Sequence, residues 1–152
     1  MMDDDNGAML KGIDPLLNGD LLKILDDMGH GDQLLVVDRN YPAHASGKPL
    51  VWLGEDSMVR AATAILSVLP LDTFVDRPLA RMEVDNDPTI VTPIQQSVLD
   101  LAQRDHASPL EYEVIPRLAF YDRAKQVFAV VKTLEDQPYA CFILTKGVIF
   151  PE

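Results

Sequence analysis

His30 is the residue of this chain best suited to moving protons, because an imidazole both takes and gives protons near neutral pH. It stands between Gly29 and Gly31, after a predicted helix whose C-terminal dipole favours the protonated ring. The two glycines let the backbone bend sharply and let a ligand approach closely. Two interpretations follow, an acid/base residue on a shaped loop or a structural histidine in a turn.

A carboxylate follows at a position where α/β sheets usually bind ligands. Asp38 comes directly after the apolar run Leu34–Val37, and ligands lie at the carboxyl ends of such strands. Asp38 could accept hydrogen bonds from ligand hydroxyl groups, or simply begin a turn. His44, in the next loop, is either a ligand contact or an exposed side chain. These three residues lack a known metal-ligand spacing, so no metal site is predicted.

Two later segments combine polar and aromatic side chains. Arg117 precedes a short predicted helix that carries Tyr121, although charged residues there are also typical of a solvated surface. Tyr139, Ala140 and Cys141 open the last predicted strand. A tyrosine hydroxyl and backbone groups suit a polar ligand, whereas the alternative is an aromatic at a strand edge. Cys141 is interpreted as a small buried hydrophobe.

Helical and strand patterns alternate along the chain and position these residues. Apolar spacing and capping residues predict helices that begin at Asn18, Asp56, Thr92 and Phe120. Gly29 is expected to take the left-handed conformation that ends the first helix. Short apolar runs predict strands at Leu34–Val37, Leu50–Leu53, Leu79–Val84, Val127–Thr133 and Phe142–Leu144. The alternation favours an α/β fold, a single domain whose sheet is covered by helices and buried on both faces.

The composition narrows the class of partner. Asp and Glu number 24 against 13 Lys and Arg, a formal net charge of -11 in 152 residues, which argues against nucleic acid and anionic membranes. No apolar run approaches the roughly 20 residues of a membrane helix. Cys141 is the one cysteine, so no intrachain disulfide forms, as suits a reducing compartment. We expect a cytoplasmic protein with a flexible acidic N-terminus at 1–8 and one domain at 9–152.

Five long blocks follow one another in order from Met9 onward. They are MLKGIDPLLNGDLLKILDDMGHGDQLLVVD, YPAHA, LPLDTFVDRPLARMEV, RLAFYDRAKQVFAVV and YACFILTKGVIF. Together they resemble the D-ribose pyranase / L-fucose mutarotase family over nearly all of the chain. FYDRA is similar to the FYERA segment of the fucose branch, so the resemblance is closer to that branch.

The resemblance implies an isomerase that interconverts cyclic forms of a free monosaccharide, L-fucose or a related sugar, without metal or cofactor. It makes His30 the proton donor and Asp38, Arg117 and the triplet Tyr139, Ala140 and Cys141 the sugar contacts. Family members commonly carry asparagine in place of Cys141, and a thiol is the weaker hydrogen-bonding group. They form rings of subunits with sites at the contacts, which implies a homo-oligomer, a pentameric ring or a decamer.

One geometric question stays open. The strand Leu34–Val37 alone spans roughly 13 Å, so His30 and Asp38 lie near its opposite ends. They share a site if the GHGD loop folds back, or if neighbouring subunits complete each other's sites. Two other functions also remain open. One is a non-catalytic sugar-binding or sugar-transport accessory protein, and the other is a structural oligomer that binds no sugar.

Overall fold

Six strands form one mixed sheet in residues 9–151, the part of the chain that this computed structural model describes. They are β1 (Gln33–Val37), β2 (Leu50–Trp52), β3 (Leu79–Met82), β4 (Glu113–Ile115), β5 (Ala129–Lys132) and β6 (Phe142–Thr145), in the order β2-β5-β1-β6-β3-β4. β6 is antiparallel to its neighbours β1 and β3, and the other pairs are parallel. Five strands therefore end at one edge of the sheet. The tail predicted for 1–8 lies outside the described residues.

Residues 9–151 also form four α-helices, of which the first precedes β1 and the others connect strands: α1 (Gly19–Asp27), α2 (Met58–Leu66), α3 (Pro93–Arg104) and α4 (Arg117–Ala124). The side chains of Asn18, Ser57 and Thr92 accept hydrogen bonds from first-turn amides and begin the first three helices. The second helix begins later than predicted because Ser57, not Asp56, is its cap. None of the helices among these residues is long and apolar enough to cross a membrane.

Alternate residues of the central strand enter different cores. Leu34 and Val36 pack in the core that α1, α2 and α3 cover, whereas Leu35 and Val37 pack in a second core with Phe120 of α4. All four strand residues are buried, which explains why the sequence shows a continuous apolar run rather than an alternating one. The prediction of an α/β sheet covered by helices on both faces is confirmed.

The end of α1 differs from the prediction. Gly29 was expected in the left-handed position, but the described glycine with positive φ in this loop is Gly31, at +90°. The reason is an alternative cap: the Lys146 ammonium donates hydrogen bonds to the carbonyls of Leu25 and Met28. A cation at a helix C-terminus satisfies the free carbonyls and matches the helix dipole, so a left-handed turn is not required there.

The sequence did not predict one strand and misplaced the start of one further helix. β4 was not predicted, because it has three residues and two of them are only half-buried, too short for a periodic signal. The last helix begins at Arg117 and not at Phe120, because Pro116 fixes the backbone just before it. Arg117 therefore lies inside α4, in its first turn, rather than on the segment that precedes the helix.

Candidate active site

Asp38 is buried at the carboxyl end of β1 and joins two segments that are far apart in the chain. Its Oδ1 accepts hydrogen bonds from the amides of Asn40 (3.0 Å) and Tyr41 (3.1 Å), and its Oδ2 accepts one from the amide of Ala140 (3.2 Å). Burial raises the pKa of this carboxyl group, and the hydrogen bonds oppose that rise. The aspartate thus fixes the segment before β6 against the end of β1.

Cys141 completes the shell around this carboxylate. Its Sγ lies 3.6 Å from Asp38 Oδ2 and donates a weak hydrogen bond to it. The thiol is buried, and burial raises its pKa well above the ordinary value. A protonated, buried thiol is a poor nucleophile, so the interpretation of Cys141 as a small buried hydrophobe agrees with its surroundings.

Tyr139 has a left-handed backbone, with φ at +62°, which is uncommon for a bulky residue. Its carbonyl accepts a hydrogen bond from Gln95 Nε2 (3.1 Å), and its hydroxyl donates to Asp85 Oδ1 (2.7 Å). The hydrogen bond to Asp85 raises the pKa of Tyr139, and the nearby charge of Arg117 opposes that rise. Because of this turn Tyr139, Ala140 and Cys141 lie before the last strand rather than opening it, and that strand begins at Phe142, as the range predicted for it does.

Arg117 projects from the first turn of α4 on the same edge of the sheet. It is exposed, and its guanidinium carbon lies 5.9 Å from the centroid of the Tyr121 ring. The structure therefore brings five of the predicted site residues to the carboxyl edge: Asp38, Arg117, Tyr139, Ala140 and Cys141. This edge offers a guanidinium, a phenol and a carboxylate. Hydrogen-bonding groups of this kind suit the hydroxyls of a neutral polar ligand.

His30 lies at the opposite edge of the sheet. Its Nε2 is 2.9 Å from Asp72 Oδ1, and its ring centroid is 5.1 Å from that of Phe74. The amide of the next residue, Gly31, donates to the carbonyl of Lys146, just after β6. The five residues of β1 separate His30 from Asp38 by roughly 16 Å of extended backbone. The GHGD loop does not fold back toward Asp38. A single copy of the chain therefore does not bring His30 and Asp38 into one site.

The other loop histidine, His44, forms no hydrogen bond or ion pair with the carboxyl-edge residues around Asp38 or with the residues around His30. His44 begins a short 3-10 helix, His44–Ser46, and is exposed. Within residues 9–151 no group of three or more His, Cys, Asp or Glu side chains is arranged to hold a metal ion.

Three residues in these two groups were not predicted from the sequence: Asp72, Asp85 and Gln95. Gln95 had a local signal, since Thr92 and Gln95 form a capping box at the start of α3. Asp72 lies inside the quoted block LPLDTF, but nothing local connects it with His30, which is 42 residues away. Asp85 has no signal of its own in the sequence.

Comparisons with known proteins agree with this fold. Residues 11–149 match the model of the RbsD / FucU transport protein family. The L-fucose mutarotase of Actinobacillus pleuropneumoniae serotype 5b is 35% identical over 140 residues, which cover 92% of this chain and 97% of that protein. The fucose mutarotase of Bos taurus is 36% identical over 152 residues, which cover 95% of this chain and 97% of that protein.

A solved structure supports the same assignment. The fucose mutarotase of Streptococcus pneumoniae in complex with L-fucose superposes with a TM-score of 0.84 at 32% identity. The superposition covers 93% of this chain and all of that one. Sequence and fold are therefore similar over the same, nearly complete length. This chain belongs to the RbsD / FucU family.

Proposed function

We propose that this chain is a cofactor-independent mutarotase that interconverts the cyclic forms of free L-fucose or a related monosaccharide. The observation that carries the proposal is the match in fold and length to the fucose mutarotase of Streptococcus pneumoniae bound to L-fucose. The polar, hydrogen-bonding carboxyl edge and the net charge of -11 suit a neutral sugar better than an anion. Its single cysteine, buried and free, supports a cytoplasmic location.

The reaction requires proton transfers and no redox step. A base removes the proton of the anomeric hydroxyl while an acid protonates the ring oxygen, so the C1–O5 bond breaks and an open-chain aldehyde forms. Rotation about the C1–C2 bond and ring closure then give the other anomer. We assign His30 as the proton donor and Asp38, Arg117, Tyr139, Ala140 and Cys141 as the sugar contacts.

We further propose that each site forms between two copies of the chain, in a homo-oligomer such as a pentameric ring or a decamer. The separation of His30 from Asp38 across the sheet supports this arrangement. The surface beside His30 is also apolar: Phe74 is 65% exposed and Phe150 60% exposed, with their ring centroids 6.1 Å apart. Exposed aromatic pairs of this kind are typical of surfaces that another protein covers.

Anomer exchange measured by NMR saturation transfer tests the proposed function. L-fucose, D-ribose, galactose and glucose are compared with the wild type and with His30→Ala. We expect faster exchange for at least one sugar and a loss of roughly 100-fold or more in the variant, since general acid–base catalysis contributes about that factor. Exchange that survives the substitution would overturn the role of His30. No acceleration with any sugar would overturn the enzyme.

A sugar-binding or transport-accessory protein is the second candidate. The family description names transport, and Cys141 is the specific observation that favours it, since a thiol donates only weakly to Asp38. This candidate predicts sugar binding by calorimetry without faster exchange. Exchange that appears on Cys141→Asn would show that the cysteine causes the loss.

A further inference from the structure

Asp72 is a buried acid whose side chain faces His30. The residue is 2% exposed, whereas the side chain of His30 is 45% exposed. Asp72 Oδ1 lies 2.9 Å from His30 Nε2, within the distance of an ion pair or hydrogen bond. A buried carboxylate is costly unless it is hydrogen-bonded or paired, so this aspartate has a specific partner rather than a solvent role. The imidazole of His30 thus contacts Asp72 through Nε2, and its side chain is partly exposed.

The backbone around Lys146 holds the two residues in register. On one side the Gly31 amide donates to the Lys146 carbonyl (2.9 Å), and on the other the Asp72 amide donates to the Thr145 carbonyl (3.0 Å). Leu71 forms an antiparallel bridge with Lys146. A Cβ on Gly147 would lie 2.7 Å from the Asp72 Cα, so the strand end and the Asp72 segment are in close contact. The His30 loop and the Asp72 loop are thus fixed to one short segment.

Asp72 Oδ1 is the atom that faces the imidazole. It also accepts a hydrogen bond from the Phe74 amide (3.2 Å), and the Phe74 ring packs against the imidazole at 5.1 Å. An ionised carboxylate accepts hydrogen bonds and cannot donate them. With Asp72 Oδ1 as the acceptor, His30 Nε2 is the donor, and Nδ1 has no hydrogen bond or ion pair within residues 9–151.

We propose that Asp72 is a positioning residue that holds His30 as the Nε2–H tautomer and thereby presents Nδ1 to the sugar. In the protonated ring Nδ1 carries the proton that goes to the ring oxygen when the sugar ring opens, and in the neutral ring its lone pair takes that proton back when the ring closes, so opening and closure use the same atom. The choice of Nδ1 as the reacting atom rests on the mutarotase function proposed above. The tautomer itself does not, because it follows from the contacts of Asp72 within this chain.

A purely structural role makes a different prediction. Asp72 could act through its hydrogen bond to the Phe74 amide alone, as an aspartate that stabilises its own turn. Removing it would then lower stability and leave the tautomer of His30 unchanged. The tautomer is therefore the readout that separates positioning from stability.

The experiment measures the His30 ring by ¹⁵N NMR in the full chain, with anomer exchange on the same samples. The wild type should show Nε2–H and a free Nδ1. Asp72→Ala should give a mixture of tautomers and lower kcat/KM by up to roughly 100-fold, the lower end of what general acid–base catalysis contributes. Asp72→Asn should restore Nε2–H, since the Phe74 amide keeps the side-chain oxygen in place. Asp76→Ala, an exposed aspartate of the same segment, should match the wild type.

Several outcomes would overturn the proposal: an Nδ1–H tautomer in the wild type, or an Asp72→Ala variant with the wild-type tautomer. If circular dichroism shows that Asp72→Ala does not fold, the wild type and Asp72→Asn decide between the two roles. A wild type with Nε2–H that exchanges no sugar would refute the mutarotase and, with it, the role of Nδ1. It would leave the positioning by Asp72 in place.

Discussion

At the scale of single residues, Asp38 combines a buried carboxylate with a set of local donors. Three backbone amides donate to it, and Cys141 adds a weaker contact. Burial nevertheless dominates and raises its pKa above the ordinary 3.8. The fold therefore favours the neutral form of a residue that must bind segments together through its oxygens. An amide side chain could keep the two Oδ1 contacts, but its NH₂ would meet the Ala140 amide.

The raised pKa of Asp38 gives a pH dependence with a definite sign. Between the unfolded pKa of about 3.8 and the higher folded pKa, the native state binds more protons than the unfolded state. The contribution of Asp38 to the free energy of unfolding therefore falls as pH rises through that window. Urea denaturation at several pH values from about pH 3 to pH 7 measures it. The difference between the wild type and Asp38→Asn should decrease across the window, and a constant difference would contradict the assignment.

At the scale of elements, the first turn of α3 supports the turn that carries Tyr139. Gln95 is fully buried. Its Nε2 donates to the carbonyls of Met82 and Tyr139, and its Oε1 accepts from the Thr92 amide. One side chain thus caps its own helix, joins the end of β3 and holds the left-handed residue at the carboxyl edge. Tyr139 depends on a helix to which it is not adjacent in the chain.

Replacing Gln95 with methionine should lower stability and sugar affinity together. The change keeps the volume but removes the side-chain donor to the Tyr139 carbonyl and one of the two donors to the Met82 carbonyl, the other being Arg81, which costs about 2 kcal/mol. The free energy of unfolding comes from urea denaturation, and sugar affinity comes from calorimetry. Gln96→Met is the matched control, because Gln96 is exposed and bonds to Asp100 on the helix surface. Equal losses in both variants would refute the role of Gln95.

Caps and apolar runs in the sequence predicted most helices and strands, but they did not predict which helices, strands and loops contact one another. α1 and β1 have caps or apolar runs that fix them locally, whereas β4 is too short for such a signal. Gly29 was placed wrongly because the cap of α1 comes from Lys146, more than a hundred residues away. The closeness of Asp38 to Ala140, 102 residues apart, followed from the family resemblance. The contact between His30 and Asp72 did not follow from the resemblance, because a single sequence does not show which buried carboxylate lies against which loop.

At the scale of the whole molecule, the proposed catalytic group and the proposed sugar contacts occupy opposite edges of one sheet. Phe74 and Phe150 leave an apolar surface beside His30, and Ile149, next to Phe150 in the chain, is 78% exposed. A second copy that covered this surface could bring its own carboxyl edge to His30. A contact of that kind between different patches of two identical chains builds rings when its rotation closes.

Mixing two inactive variants tests this arrangement directly. His30→Ala lacks the proton donor and Asp38→Ala lacks the carboxylate, so neither homo-oligomer should exchange anomers. Co-expressed in equal amounts, they should recover about a quarter of the wild-type activity, because both intact halves meet in that fraction of shared sites. Each variant expressed alone is the control. Sites built within single chains would give no recovery.

The short strand β6 has a consequence for how this protein can change. It starts close to Asp38 and ends at Thr145, next to the loops of His30 and Asp72. The proposed sugar contacts and the proposed proton donor are thus separated by the length of one short strand. Side chains such as Asp85 and Cys141 can be exchanged without disturbing the imidazole. If the proposed roles hold, a change of sugar preference arises from substitutions at the carboxyl edge and leaves His30 and Asp72 at the other edge unchanged.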